Sequence, residues 1–353
     1  MQVNHIELKE QIKISYETKI PLFVMGATGI GKSDTIVTAC KELAESNGLE
    51  FSDKDIQDGK FGFVDVRISQ LDSTDLRGLP SVEEGKTKWL IPNWLPSNKE
   101  SKGILFFDEL NLAPPSIQSA CYQLILDRKL GDYELPKGWL IVSAGNRVED
   151  KCNVFEMSSA LKNRFAHTEL KIPDHEAWTN WALNNDLDGR VVAFIQFKPS
   201  SLFKFDVKNS DNAFPTPRSW TFCSRLIRER ENKELLQRLA SSTIGEATAT
   251  EFVGFLKLQK KINLKEILSK PELVASIKEI DLKYVLLGTI SEYYKKDKSI
   301  LLKTLKLCEY LEPEFAILLL RFLKGVNKKH FSSELIKSKE GKELLTRYAE
   351  ILN

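Results

Sequence analysis

Apolar residues in the first half of the chain gather in short runs, each ending where glycine or polar residues begin. The run IPLFVMG, Ile20 to Gly26, closes on a glycine, and the stretch after it, Ser33 to Leu43, has the spacing of a helix. Four further runs read as strands: Phe61 to Ser69, Ile104 to Leu110, Trp139 to Asn146 and His167 to Ile172. Strands that alternate with helical stretches predict an α/β fold, a parallel sheet covered on both faces that binds ligands at the carboxyl ends of its strands. Past Pro173 the periodicity becomes helical, in EAWTNWALNN, SWTFCSRLIRER, EFVGFLKLQKKI, KYVLLGTISEYY and EFAILLLRFLKGV. The expected organisation is therefore an α/β domain over residues 1–172 and an all-helical domain over 173–353. The polar segment VKNSDNAFPTP, Val207 to Pro217, is the one obvious flexible stretch, with Pro215 and Pro217 stiffening the entry to the next helix.

Length and composition agree with two globular units. The 353 residues exceed what one hydrophobic core usually spans, and 42% hydrophobic with 28% charged residues is ordinary for a soluble protein. No apolar run reaches the 18 or so residues of a membrane span, and the N-terminus lacks the apolar stretch of a signal peptide, so a cytoplasmic protein is expected. Cys40, Cys121, Cys152, Cys223 and Cys308 are odd in number and never paired as CxxC, which argues for reduced thiols rather than a disulfide framework or a zinc site. His5, His167, His175 and His330 show no metal-ligand spacing and are expected at the surface or in packing.

Chemistry enters with GATGIGKS. Gly26, Ala27, Thr28, Gly29, Ile30, Gly31, Lys32 and Ser33 meet every position of the phosphate-loop pattern GxxxxGK[ST], between a strand and a helix as the mechanism requires. Backbone amides would cradle the phosphates, Lys32 would meet the outer ones, and the Ser33 hydroxyl would reach magnesium. Asp108 and Glu109 end the run ILFFDEL, where one carboxylate can hold magnesium and the next can orient the attacking water. Asn146 closes WLIVSAGN, where an amide can bond the attacking water and the γ-phosphate. Arg164 in SSALKNRF has the guanidinium fork of an arginine finger, with Arg147 as its rival, and Arg218 in FPTPRSW opens a helix of the second domain. The bland readings are a turn asparagine at Asn146 and solvated surface arginines.

Taken in order, GATGIGKS, ILFFDEL, SAGN, LKNRF and PTPRSW resemble the AAA+ ATPases of the MoxR group over roughly Ile20 to Leu226. In family terms these are Walker A, Walker B, sensor 1, the arginine finger and sensor 2. The stretches LDSTDLRGLPSVEEGKTKWLIPNWLP and LILDRKLGDYELPKGW resemble that clade's helix-2 insert and pre-sensor-1 hairpin, which makes Trp89 and Trp94 candidate contact residues. One departure is that Ala27 and Thr28 stand where relatives often carry prolines, and Ser33 where they carry threonine. The resemblance implies an ATP/ADP-binding, Mg2+-dependent ATP hydrolase with catalytic Glu109, Asn146, Arg164 and Arg218 and metal-binding Ser33 and Asp108. It further implies a hexameric homo-oligomeric ring, chaperone-like remodelling, and a partner with a von Willebrand factor A domain.

Two other classes remain. A nucleic-acid motor or restriction-type subunit would use the basic helical end around Lys324, Lys328 and Lys329, but the net charge of +2 does not demand such a partner. From Glu231 onward 22 Lys and Arg face 17 Asp and Glu, an excess that a solvated helical face also explains. The other class is a nucleotide-gated scaffold that does not hydrolyse, against which the intact Glu109 and Asn146 argue.

Overall fold

The computed structural model describes residues 2–54, 59–150, 154–206 and 211–352. Internal contacts divide the chain into two compact units, Met1–Ile172 and Pro173–Asn353.

The first unit is built on a sheet of seven parallel strands. In chain order its strands and two small hairpins are β1 (Gln2–Val3), β2 (Leu22–Met25), β3 (Glu50–Ser52), β4 (Lys60–Arg67), β5 (Leu79–Glu83), β6 (Lys86–Leu90), β7 (Lys102–Asp108), β8 (Lys129–Leu130), β9 (Tyr133–Glu134), β10 (Gly138–Gly145) and β11 (Ala166–Leu170). The helices are α1 (His5–Thr18), α2 (Lys32–Ser46), α3 (Ser73–Arg77), α4 (Pro115–Asp127) and α5 (Ser159–Lys162). The sheet order is β1-β11-β2-β10-β7-β4-β3. The phosphate-loop strand β2 and the acidic strand β7 are thus not neighbours, and β10 lies between them. That insertion brings the end of β10 to the space between Lys32 and Asp108.

Alternation along the strands explains why both faces are covered. In β7, Leu105 and Phe107 join one buried cluster with Ile117, Cys121 and Leu124 of α4, while Ile104 and Phe106 point the other way and are equally inaccessible. On that second face lie α1 and α2, with Leu8, Ile12, Ile36, Ala39 and Cys40 all buried. Each of the four strand runs is recovered, beginning and ending one or two residues earlier than read; past the first of them, Ile68–Gln70 is a 3-10 turn. The sequence pattern missed β1, β3 and α1. The two strands are only two or three residues long, and α1 shows its face only as Leu8, Ile12 and Tyr16 at four-residue spacing.

Both inserts contain antiparallel hairpins. β5 pairs with β6, from Leu79 opposite Leu90 to Glu83 opposite Lys86, and β8 pairs with β9. In the larger hairpin only Ser81 is even half-buried. Trp89 is 41% exposed on it. Trp94, grouped with Trp89 on sequence grounds, behaves differently: it is half-buried against the first unit's core and its indole N–H donates to the Asp75 carbonyl at 3.4 Å. Its indole rests on the unit's own apolar surface, which leaves less of it open to a partner than Trp89.

The second unit is helical in its described residues. Phe194, Trp220 and Phe252 pack together, tilted or edge-to-face, with ring centroids 5.3 to 5.6 Å apart. The helix Pro313–Val326 buries Phe315, Leu319, Leu320, Phe322 and Leu323, as an almost uniformly apolar helix must. Residues 207–210 of the expected flexible stretch lie outside the described residues; Thr216 caps the helix Pro217–Ile227 and Pro217 is its first residue. Cys40, Cys121, Cys223 and Cys308 are buried free thiols, and Cys152 lies outside the described residues. Among the described residues no helix is long and apolar enough to cross a membrane.

Candidate functional site

The loop Gly26–Ser33 runs from the end of β2 into the first turn of α2, so its amides and the helix N-terminus face the same space. Gly31 is the N-cap, with φ 97°, a conformation glycine adopts without steric cost. Its carbonyl accepts from the Thr35 amide at 3.0 Å and the Thr35 hydroxyl at 2.8 Å.

Lys32 gathers the site. Its ammonium donates to the Gly26 carbonyl at 2.8 Å, the Ala27 carbonyl at 3.0 Å and Asn146 Oδ1 at 2.9 Å. An ammonium has three N–H donors, so an incoming phosphate oxygen must displace one of these acceptors. On the same side the Ser33 hydroxyl donates to Asp108 Oδ2 at 3.2 Å. Asp108 also accepts from the Glu109 amide at 2.9 Å. Burial raises the Asp108 carboxyl above the ordinary aspartate range, against the pull of the Glu109 amide, the Ser33 hydroxyl and the Lys32 charge.

Glu109 has φ 57°, left-handed for a residue that is not glycine, at a cost on the order of 1 kcal/mol. The turn ends β7, and the Glu109 carboxylate accepts a 2.7 Å bond from the Ser69 hydroxyl. One of its oxygens is thereby held and the other is available to a water.

Asn146 is fixed from behind by Asn111. The Asn111 side chain donates to the Asn146 carbonyl at 2.7 Å and accepts from its amide at 3.2 Å, and Asn111 is 5% exposed. A Cβ on Gly145 would stand 2.4 Å from Asn111 Oδ1, so only glycine permits that approach. Asn111 and Ser69 were not singled out in the sequence. The one signal was position, three residues past Asp108 for Asn111 and the end of a strand run for Ser69.

The arginines separate. Arg147 is held by Asp150 at 2.9 Å and Glu169 at 3.5 Å, and the Asp150 bond first among these keeps its pKa above the ordinary arginine value. Arg164 follows α5 with its guanidinium 3.4 Å over the Tyr122 ring and one N–H on the Ala160 carbonyl at 2.6 Å, while its Nε is buried without a partner. Arg218 is exposed in the first turn of the helix Pro217–Ile227, in the second unit. His5, expected to be a surface or packing residue, packs on the phosphate loop: its Nε2 lies 2.9 Å from the Ile30 carbonyl.

Magnesium suits the donors that are present, a hydroxyl and a carboxylate with hard oxygens, completed by phosphate and water. Among the described residues no cluster of three or more His, Cys, Asp or Glu gathers elsewhere as a metal site.

The chain matches no protein-family profile and no curated protein. Among solved structures it is similar to a variant of Thermotoga maritima RuvB at 13% identity and a TM-score of 0.39, covering 85% of this chain and 88% of that one. It is also similar to NtrX of Brucella abortus in complex with ADP, at 14% identity and a TM-score of 0.35 over 83% and 67% of the two chains. A third is the Caenorhabditis elegans PCH-2, at 10% identity and a TM-score of 0.32 over 92% and 68%. The assignment of function rests on the chain's own residues.

Proposed function

We propose that this chain is an AAA+ ATPase of the MoxR kind, binding ATP on Gly26–Ser33 and hydrolysing it with Glu109 as the residue that orients water. The carrying observation is the convergence of three strand ends: Lys32 on Asn146 at 2.9 Å, Ser33 on Asp108 at 3.2 Å, and Glu109 beside Asp108 with one oxygen tied to Ser69. Ser33 and Asp108 would hold magnesium, which supplies charge neutralisation on the β- and γ-phosphates. When the γ-phosphate reaches Lys32, the Asn146 amide is the side-chain acceptor it displaces, and Asn146 then turns to the phosphate and the attacking water. Glu109 takes the water proton's hydrogen bond through its untied oxygen and lines the water up for attack.

Arg164 is the finger that completes a neighbour's site, since Arg147 is paired with Asp150 and Glu169, whereas Arg164, lying over the Tyr122 ring, forms no ion pair among the described residues. A residue acting in trans requires head-to-tail contacts that close, a ring, six-membered by resemblance. Arg218 would couple nucleotide state to the helical unit, and the exposed β5–β6 hairpin would meet the partner protein, a von Willebrand factor A domain protein by resemblance, in the cytoplasm.

Steady-state ATP turnover per chain, measured across protein concentrations with Glu109→Gln as control, tests this. Specific activity that climbs with concentration, with a dead control, supports hydrolysis in an assembly. Flat activity removes Arg164 from the site. No turnover at any concentration favours a nucleotide-gated scaffold.

A further inference from the structure

The phosphate loop works only if its amides face the nucleotide, so its carbonyls must turn away and find partners elsewhere. Four of them do. Lys32 takes those of Gly26 and Ala27, Thr35 takes that of Gly31, and His5 takes that of Ile30. Lys32 and Thr35 belong to the loop and its own helix. The His5 contact comes from outside, from the first residue of α1.

The Ile30–Gly31 peptide most needs an external hold. Reversing a peptide plane requires compensating rotations of the ψ before it and the φ after it, and the φ after it belongs to a glycine, which tolerates either sign. A reversed plane would aim a carbonyl oxygen, not an N–H, at the phosphates. Because the peptide is trans, its C=O and N–H point in opposite directions, so a bond that holds the Ile30 oxygen toward His5 holds the Gly31 N–H away from it.

His5 is itself braced. Asn4 caps α1 in a reciprocal capping box with Glu7, whose carboxylate accepts from the Asn4 amide at 2.7 Å. Val3 pairs with Leu170 in β11, and the Val3 carbonyl accepts from the Lys171 amide at 2.9 Å. Leu8 and Ile12 are fully buried, and Lys9 and Lys13 both reach Glu42 of α2 at 2.5 and 2.6 Å. The imidazole stands against the loop, where even a Cβ on Gly31 would lie 3.5 Å from Nε2. Strand pairing, cap, core and ion pairs thus all converge on the placement of one ring nitrogen.

We propose that His5 is a positioning residue of the nucleotide site, its Nε2–H holding the Ile30 carbonyl so that the Gly31 amide points at the phosphates. The inference rests on Gly26–Ser33 being a phosphate loop. It assigns the β1–α1 arm, which no motif of the sequence includes, a share in nucleotide affinity.

The test compares the whole chain with His5→Ala and His5→Gln, the latter because a glutamine amide nitrogen reaches about where Nε2 does. ADP affinity is measured by calorimetry, KM and kcat for ATP by turnover, and the melting temperature without nucleotide. One lost hydrogen bond corresponds to a change of about tenfold. His5→Ala is expected to weaken ADP and raise KM by about that factor, with kcat and the nucleotide-free melting temperature held, and His5→Gln to restore most of the affinity. Unchanged ADP affinity in His5→Ala overturns the proposal, as does a loss that glutamine fails to restore or one matched by an equal fall in the nucleotide-free melting temperature. Should His5→Ala not fold, histidine 15N NMR of the unaltered chain decides: Nε2 must carry the proton with and without ADP. If the unaltered chain binds no ADP at all, the phosphate-loop reading itself fails, a separate outcome.

Discussion

The carboxyl edge of the sheet and the β5–β6 hairpin belong to the same unit and are built in opposite ways. At the edge, each functional residue is held by another side chain: the Asn146 backbone by Asn111, the Glu109 carboxylate by Ser69 and the Ser33 hydroxyl by Asp108. Beneath it lie Phe106, Phe107, Val142 and Ala144, fully buried, each large apolar side chain among them contributing about 2 kcal/mol. The hairpin has no such floor. Val82 is 80% exposed, Leu79 62% and Leu90 52%, and its one ion pair, Lys88 with Glu83, is exposed and worth little. Chemistry that tolerates little displacement sits on buried strands, and the exposed apolar side chains sit on a hairpin with little packed beneath it.

The sharpest break of that contrast is Glu109→Gln, expected to lower turnover by on the order of a hundredfold or more with ADP binding retained in calorimetry. Next, Asn111→Ala removes both bonds to the Asn146 backbone; stability should fall by about 2 kcal/mol in thermal unfolding and kcat by about tenfold. Gly145→Ala attacks the same clamp from the other side, since its Cβ would meet Asn111 Oδ1 at 2.4 Å, and should reproduce that kcat loss. Smaller again is Ser69→Ala, which frees the Glu109 carboxylate to rotate and should reduce kcat by about threefold with KM unchanged. Trp89→Ser on the hairpin is the smallest, with basal turnover within about twofold and no change in melting temperature. A fall in basal turnover there as large as at Asn111 would erase the distinction between the two regions.

Much of this was legible in the residues alone. Gly26–Ser33, Asp108, Glu109 and Asn146 occupy strand ends that short apolar runs announce, because a strand buried on both faces has to be apolar until it reaches solvent. The sequence also showed the turn from strand alternation to helical periodicity near Pro173, where the two units divide. Other features were not legible, for a common reason: their partners are remote in sequence. Asn111 meets Asn146 across 35 positions, Ser69 meets Glu109 across 40 and His5 meets Ile30 across 25. Nothing local distinguishes Trp94 from Trp89 either, and only packing turned one inward and left the other in solvent. Local pattern fixes which groups can do chemistry, since it depends on residue type and on periods of two and 3.6. The order of strands decides which groups meet, and with β10 between β2 and β7 that order set Lys32, Asn146 and Asp108 around one space.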